Sequence, residues 1–175
     1  MKRNEFSDKD QSQAADGSSN PWYYEASELG FNYRLPDINA ALACNQLKRL
    51  DQFVEQRREL VAKYIELMPS LSPKVLPIGR VEGQTAWHIF PVLIDFDGIG
   101  KDRAMVMKKL REVGIGTQVH YIPIHRQPYY RNRYGTLNLP GADAWYNRTL
   151  TLPLYPTMGS SDVDRVVSAL SDAIT

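Results

Sequence analysis

The sequence has little of several things that would identify a protein class at once. It has one cysteine, Cys44, in 175 residues, so an internal disulfide is excluded and a reducing, cytoplasmic setting is the simplest expectation. No apolar run approaches the roughly 20 residues that span a bilayer, and the N-terminus has no apolar signal-peptide core. We therefore expect no membrane partner.

The net charge is small and histidines are few as well. The formal net charge is +1, which argues against duplex nucleic acid or an anionic membrane surface as a partner. His120 and His125 are five residues apart with no third ligand nearby, so we expect no metal site. Cys44 falls in an apolar helical stretch and is expected to be buried and inert. His88, inside an apolar strand, is expected to be a hydrogen-bonded core residue.

What is present divides the chain into distinct parts. Residues 1–20 are polar and are expected to be disordered unless a partner orders them, whereas PWYYE, residues 21–25, begins packed structure. From Pro36 to about Met68, apolar residues recur at spacings of three and four, which predicts one long helix. Hydrophobic residues make up 43% of the chain, enough for a core.

The remainder alternates between strand and helix patterns and predicts an α+β domain, with helices on a small, mainly antiparallel sheet. Pro91 implies that its strand is an edge strand or carries a bulge. Ser160 or Ser161 is the expected N-cap of the last helix. The predicted strands are 85–96, 115–122 and 151–156, and the predicted helices are 102–114, 142–150 and 160–174, with a loop over 123–140.

Two stretches combine polar groups with aromatic rings and are the candidate sites. One is FNYR, residues 31–34, directly before a helix; the other is VHYIPIHRQPYYR, residues 119–131. Because a helix N-terminus receives anions, Asn32 and Arg34 are candidates for a phosphate site. The alternative is that Asn32 forms a left-handed turn, Tyr33 packs and Arg34 is solvated. In the second stretch, imidazole, phenol and guanidinium groups suit an anionic or sugar-like ligand. A loop of hydrogen-bonded histidines and a surface for single-stranded nucleic acid are the alternatives there.

The segment GFNYRLPDINAALACNQLKRLDQFVEQRRELVAKY, residues 30–64, resembles the DegT/DnrJ/EryC1/StrS sugar aminotransferases, which are pyridoxal-phosphate (PLP) enzymes of aspartate-aminotransferase fold (fold type I). The resemblance continues through TAWHIFPVLIDF, VGIGTQVHYIPIHRQPYYR and LTLPLYP and covers residues 21–174. PWYYEASELGFNYR and HYIPIHRQPYY are most similar to the pseudaminic-acid branch, whose members aminate a UDP-linked keto-deoxy sugar. The resemblance implies that residues 21–69 are a remnant of the large domain and a long connecting helix, and that residues 70–175 are the small C-terminal domain.

The resemblance also implies roles for individual residues. In the relatives, the asparagine that matches Asn32 reaches across a homodimer to the PLP phosphate of the other subunit, and the arginine that matches Arg34 lies close by. Residues that match His125, Tyr129 and Tyr130 help to line the nucleotide-sugar pocket. Tyr121, in the same stretch, is a further substrate-binding candidate. A short polar cluster before a scaffold helix is then a contribution to a neighbouring subunit's site.

One departure from the family pattern limits the expected activity. In the relatives, the lysine that forms the Schiff base precedes the segment that matches GFNYR, but here Lys2 and Lys9 lack the family's surrounding sequence. We therefore expect no catalytic residue in this chain, and PLP bound only with an N-terminal half or a partner subunit. The chain is expected to be part of a sugar aminotransferase, as a fragment, a truncated product or a split subunit, and to form a homo-oligomer or pair with the N-terminal half. The alternative is a non-catalytic dimerisation or nucleotide-sugar-binding module derived from that family.

Overall fold

The computed structural model describes residues 31, 33–78 and 85–175. The predicted polar tail at 1–20, the packed start at PWYYE and Asn32 therefore lie outside the described residues. The chain divides into two compact units, with the boundary between Cys44 and Asn45, and each unit is described by itself. The predicted division of the chain at residues 69 and 70 stays a prediction.

The part of the chain that the structure describes contains six α-helices and three short strands. In chain order they are α1 (Asp37–Leu47), α2 (Leu50–Leu67), β1 (Val75–Pro77), β2 (Phe90–Ile94), α3 (Arg103–Glu112), α4 (Pro128–Tyr134), α5 (Pro140–Arg148), β3 (Thr149–Leu152) and α6 (Ser160–Ile174). The strands form one antiparallel sheet in the order β1-β2-β3, which agrees with the small antiparallel sheet predicted from the sequence. None of these helices is both long and apolar enough to cross a bilayer.

The predicted single helix over residues 36–68 was wrong at one place. Lys48 and Arg49 form a turn between α1 and α2. There the Arg49 N–H donates to the carbonyl of Gln46, three residues back instead of four, at 3.0 Å. No glycine or proline marks this break in the sequence, which is why the apolar spacing ran through it. Pro69 lies in the 3-10 turn Met68–Leu71, which follows α2.

The core joins the sheet to three helices. Helix α6 packs against both α2 and α3, and α5 lies against β2. Tyr64 of α2 is fully buried, stacks on Phe90 of β2 with ring centroids 4.6 Å apart, and donates its hydroxyl hydrogen to the Pro153 carbonyl at 2.9 Å. Burying each large apolar side chain stabilises such a fold by about 1.5–3 kcal/mol. The helix that carries Tyr64 is thereby fixed to both β2 and the chain that leaves β3.

Pro91 lies in the central strand β2, so the predicted edge position was wrong for the strand as a whole. Thr151 uses both its backbone N–H and its carbonyl to bind Gln118 on its other side, so the pair of Pro91 and Thr151 carries no backbone hydrogen bond. In such an antiparallel pair the backbone groups of Pro91 point away from β3. Strand β1 has already ended there, since its last pair joins Pro77 to Val92. The missing proline N–H therefore costs no hydrogen bond of the sheet.

Several local predictions needed correction. The predicted strand over 115–122 is reduced to a single bridge between Gln118 and Thr151, and the predicted loop over 123–140 contains helix α4. The N-cap of α6 is Gly159, whose N–H donates to the carboxylate of Asp162 at 2.9 Å. His88 is exposed, because β2 begins only at Phe90.

Cys44 was also mispredicted, because it is exposed instead of buried. Helix α1, on which it lies, has no buried residue at all. An apolar stretch predicts burial only where another element covers it, and none of the described residues buries this helix. The prediction of a reducing setting is not touched by this correction and stays a prediction.

Candidate functional site

The loop that carries most of the candidate residues is anchored to the edge strand β3. The Gln118 N–H donates to the Thr151 carbonyl at 3.2 Å, and the Thr151 N–H donates to the Gln118 carbonyl at 2.8 Å. Two residues on, His120 Nδ1 lies 2.8 Å from the hydroxyl oxygen of Thr151, which is buried. His120 is thus a hydrogen-bonded structural histidine, as the alternative of a loop of hydrogen-bonded histidines expects for this residue. It fixes where the loop leaves the sheet.

His125 and Arg126 meet on one carboxylate. The Oδ1 atom of Asp143, on helix α5, lies 3.1 Å from His125 Nε2 and 2.6 Å from Arg126 Nε. The His125 side chain is only 7% exposed, whereas the Arg126 side chain is 40% exposed. The 2.6 Å contact between Arg126 and Asp143 is a charge-assisted hydrogen bond, which is among the stronger polar contacts in proteins. The imidazole is therefore held almost inside the fold, and the guanidinium is held at its surface.

The candidate tyrosines, which lie near His125 and Arg126 in the sequence, are exposed. Tyr121 is 72% exposed and Tyr129 64% exposed, while Tyr130 is 40% exposed. The rings of Tyr129 and Tyr130, on helix α4, meet edge to face with centroids 5.2 Å apart. Arg133, one turn along the same helix, donates to the Tyr129 hydroxyl at 3.3 Å. Exposed phenols beside a guanidinium can stack on a planar ring and donate hydrogen bonds to a ligand.

The FNYR stretch is described only in part, and it belongs to the other compact unit. Arg34 is exposed and lies three residues before helix α1 begins. Tyr33 adopts a left-handed backbone with φ +44°, which is uncommon for a residue other than glycine, asparagine or aspartate. Its ring meets that of Phe31 at 5.5 Å. The predicted roles of Asn32 and Arg34 stay predictions.

The groups of the His125 cluster suit binding and orienting a ligand but not holding PLP covalently. The last lysine of the sequence is Lys109, so neither the loop nor helix α5 supplies an amine for a Schiff base. Lys101 has a lowered amine pKa, owing first to desolvation and then to Lys109, but its Nζ donates to the Ala173 carbonyl at the end of α6. Among the described residues no group of three or more histidine, cysteine or acidic side chains could hold a metal ion.

Asp143 is the residue of this site that sequence reasoning missed. A signal for it exists, because Asp143 is the single acidic residue between Glu112 and Asp162, in a segment that carries four arginines. A lone carboxylate in a basic segment is a favoured partner for its cations. Without a fold, however, nothing indicated which of those cations it meets.

Comparison with known proteins gives a family and a relative. The model of the DegT/DnrJ/EryC1/StrS aminotransferase family matches residues 5–171. The spore coat polysaccharide biosynthesis protein SpsC of Bacillus subtilis is 37% identical over 160 residues, which are 90% of this chain and 41% of SpsC. This chain therefore spans about two fifths of the length of that curated relative.

Solved structures share the fold over a similar portion of their length. PseC of Helicobacter pylori, an aminotransferase involved in the biosynthesis of pseudoaminic acid, matches with a TM-score of 0.79 at 22% identity over 95% of this chain and 44% of PseC. NtdA of Bacillus subtilis, solved with bound cofactor PMP, matches with a TM-score of 0.74 at 27% identity over 89% of this chain and 36% of NtdA. The predicted α+β fold, that of a portion of an aspartate-aminotransferase-like enzyme, is confirmed.

Proposed function

This chain belongs to the DegT/DnrJ/EryC1/StrS aminotransferase family, and we propose that it forms the substrate-side part of a PLP-dependent enzyme that transfers an amino group to a UDP-linked keto-deoxy sugar. The aminated sugar would serve the synthesis of a cell-surface polysaccharide or a nonulosonic acid, in the cytoplasm. The observation that carries the proposal is the cluster in which Asp143 holds both His125 and Arg126, in a stretch that also carries exposed tyrosines. An imidazole, a guanidinium and phenols can bind the phosphates, the hydroxyl groups and the rings of an anionic sugar nucleotide.

Each group of the cluster has a distinct task in this proposal. Arg126, partly exposed, faces the diphosphate, since a guanidinium matches phosphate oxygens in charge and geometry. His125 accepts a hydrogen bond from a sugar hydroxyl, and Tyr129 and Tyr130 contact the planar base or the sugar face. Tyr121 is the fourth substrate-binding residue. All of these act by binding and orienting the substrate.

The cofactor site of the proposed enzyme takes only a contribution from this chain. PLP, when bound, supplies the electron sink for amino transfer. Asn32 and Arg34 would contact its phosphate in a partner subunit, whereas the lysine that holds the cofactor comes from an N-terminal half, in the same polypeptide or another one. The 175 residues alone would accordingly not transaminate. The proposal keeps the division into a large-domain remnant at 21–69 and a small domain at 70–175.

Titration with a UDP-sugar tests the substrate-side assignment. We expect the full chain to bind UDP-N-acetylglucosamine saturably in isothermal calorimetry. Arg126→Gln should weaken binding about tenfold, because a hydrogen bond to a charged group contributes about 1.5–3 kcal/mol. Arg111→Gln, which removes an exposed arginine from helix α3, is the matched control and should bind like the parent chain. No binding at millimolar ligand, or equal affinity of the two variants, would count against the proposal.

A second candidate function, a dimerisation module, is favoured by helix α1. Ile38 and Leu42 lie one turn apart on this helix and are 83% and 58% exposed, and Leu35 just before it is 60% exposed. Uncovered apolar side chains in a row mark a contact surface. A second copy of this chain or the N-terminal half of an aminotransferase would cover them. This role is compatible with substrate binding and does not require it.

A further inference from the structure

We propose that Asp143 is the positioning residue of the His125 cluster: a single carboxylate oxygen fixes the ring of His125 and the guanidinium of Arg126 together. Oδ1 of Asp143 is 3.1 Å from His125 Nε2 and 2.6 Å from Arg126 Nε. The inference deepens the proposed function and rests on it only where it speaks of a ligand. Asp143 itself touches no substrate in this account.

The chemistry of the carboxylate decides which tautomer His125 adopts. An ionised carboxylate can only accept hydrogen bonds, so Nε2 of His125 must carry the proton that it donates to Asp143. In the neutral ring the lone pair then lies on Nδ1, which has no hydrogen-bond partner among the residues the structure describes. Asp143 therefore presents His125 to a ligand as an acceptor at Nδ1.

Helix α5 contacts the loop through three side chains, those of Asp143, Trp145 and Tyr146, and only Asp143 is charged. Trp145 Nε1 donates to the His120 carbonyl at 3.5 Å, a long hydrogen bond. The ring of Tyr146, one turn from Asp143, lies under the Arg126 guanidinium with 5.5 Å between the guanidinium carbon and the ring centroid. Arg126 is thus held by a carboxylate and a ring that lie three residues apart on one helix face. The Asp143 side chain is 24% exposed, so water screens this arrangement only partly.

The orientation of Arg126 follows from which nitrogen is engaged. Asp143 binds Arg126 through Nε, so the two terminal nitrogens are left for other partners. Those two nitrogens present a planar pair of donors, which suits a phosphate. Loss of the Asp143 carboxylate would free the whole guanidinium to rotate and would remove the acceptor that fixes the tautomer of His125.

The test reads the His125 ring directly in the full chain. Long-range nitrogen–proton NMR spectra at about pH 8, where an ordinary histidine is neutral, distinguish the two tautomers of each imidazole. Only His88, His120 and His125 contribute signals, and a His125→Gln variant assigns the third. We expect the Nε2–H tautomer alone in the parent chain. In Asp143→Ala, which leaves no acceptor at Nε2, we expect a mixture of the two tautomers, whereas the amide oxygen in Asp143→Asn could still accept from Nε2–H. Asp164→Asn, which removes an exposed carboxylate from helix α6, should leave the ring unchanged.

Affinity for UDP-N-acetylglucosamine gives the second readout. Asp143→Asn should weaken binding about tenfold, because the neutral amide no longer forms an ion pair with Arg126. Asp143→Glu should restore part of the affinity, and Asp164→Asn should have no effect. If His125 carries only the Nε2–H tautomer in Asp143→Ala as well, the positioning role is overturned. If the parent chain binds no UDP-sugar, the proposed function fails instead, and the tautomer result still decides the role of Asp143. If Asp143→Ala fails to fold, the tautomer in the parent chain decides: an Nδ1–H ring there contradicts the inference.

Discussion

Replacing Tyr64 with phenylalanine should destabilise the unit Asn45–Thr175 by about 1–2 kcal/mol. The ring would keep its stack on Phe90, at 4.6 Å and 14° between planes, so the change isolates the hydroxyl. That hydroxyl donates to the Pro153 carbonyl at 2.9 Å. A neutral hydrogen bond contributes about 0.5–1.5 kcal/mol net, and a buried acceptor left unpaired costs about 1–3 kcal/mol. Pro153 is only half-buried, so water can satisfy part of its carbonyl, which places the expected value in the lower half of that range.

The loss of stability caused by Tyr64→Phe should depend on pH, and the sign of this dependence follows from the burial of the phenol. Desolvation, reinforced by the nearby Tyr155 and Asp162, raises the pKa of the Tyr64 phenol well above its ordinary value of 10.0. The folded chain therefore keeps the proton to higher pH than the unfolded chain does. The resulting stability is fully present below about pH 10 and is lost as pH rises beyond it. The Tyr64→Phe variant has no such group, so its disadvantage should shrink above pH 10.

Urea unfolding, monitored by circular dichroism, tests both the size of the destabilisation and its pH dependence. The parent chain and Tyr64→Phe are compared at pH 7 and at about pH 11, and the difference in unfolding free energy is read from the midpoints. Equal midpoints at pH 7 would show that the hydrogen bond to Pro153 contributes nothing. A difference that grows with pH would refute the assignment of the raised pKa to Tyr64.

Three further predictions concern a glycine at a helix end, the apolar side chains of helix α1 and the exposure of Cys44. Gly114→Ala should cost about 1 kcal/mol in urea unfolding because Gly114 has φ +79°, whereas Gly116→Ala, with open space around it, should be close to neutral; equal effects would contradict the backbone argument. Ile38→Lys should weaken self-association in sedimentation equilibrium without moving the unfolding midpoint, and unchanged association would remove helix α1 from the contact surface. Cys44, exposed on α1, should react with a thiol reagent in the monomeric chain without denaturant, and reaction only after unfolding would show that it is covered.

Periodic patterns predicted helices better than strands in this chain. The terminal helix was expected over 160–174 and is found as Ser160–Ile174, because its apolar spacing matches the face that the core buries. The break at Lys48 and Arg49 was not predictable, since both residues favour helices and neither stops one. The alternation over 115–122 predicted a strand, but only Gln118 pairs with the sheet. Alternation indicates an extended chain, not a partner for it.

In the candidate site, the types of residue were predictable from the sequence, but their arrangement in space was not. Imidazole, guanidinium and phenol groups could be chosen from the stretch at 119–131, but their sequence gave no sign that His120 and His125 have different tasks. His120 binds a buried hydroxyl of the sheet, and His125 binds the carboxylate of Asp143 on a later helix. Both contacts join residues 18 or more positions apart, so only the fold brings them together. The resemblance to a family supplied His125 as a substrate residue; it did not supply Asp143.

The most direct test of the account is whether these 175 residues hold PLP by themselves. The purified chain is mixed with one equivalent of PLP, reduced with borohydride and weighed intact by mass spectrometry, followed by peptide mapping. We predict no aldimine absorbance band and no stoichiometric mass gain, because in the proposed enzyme the lysine that holds the cofactor comes from an N-terminal half. A reduced PLP adduct on one specific lysine would contradict it, since the chain would then hold its own cofactor.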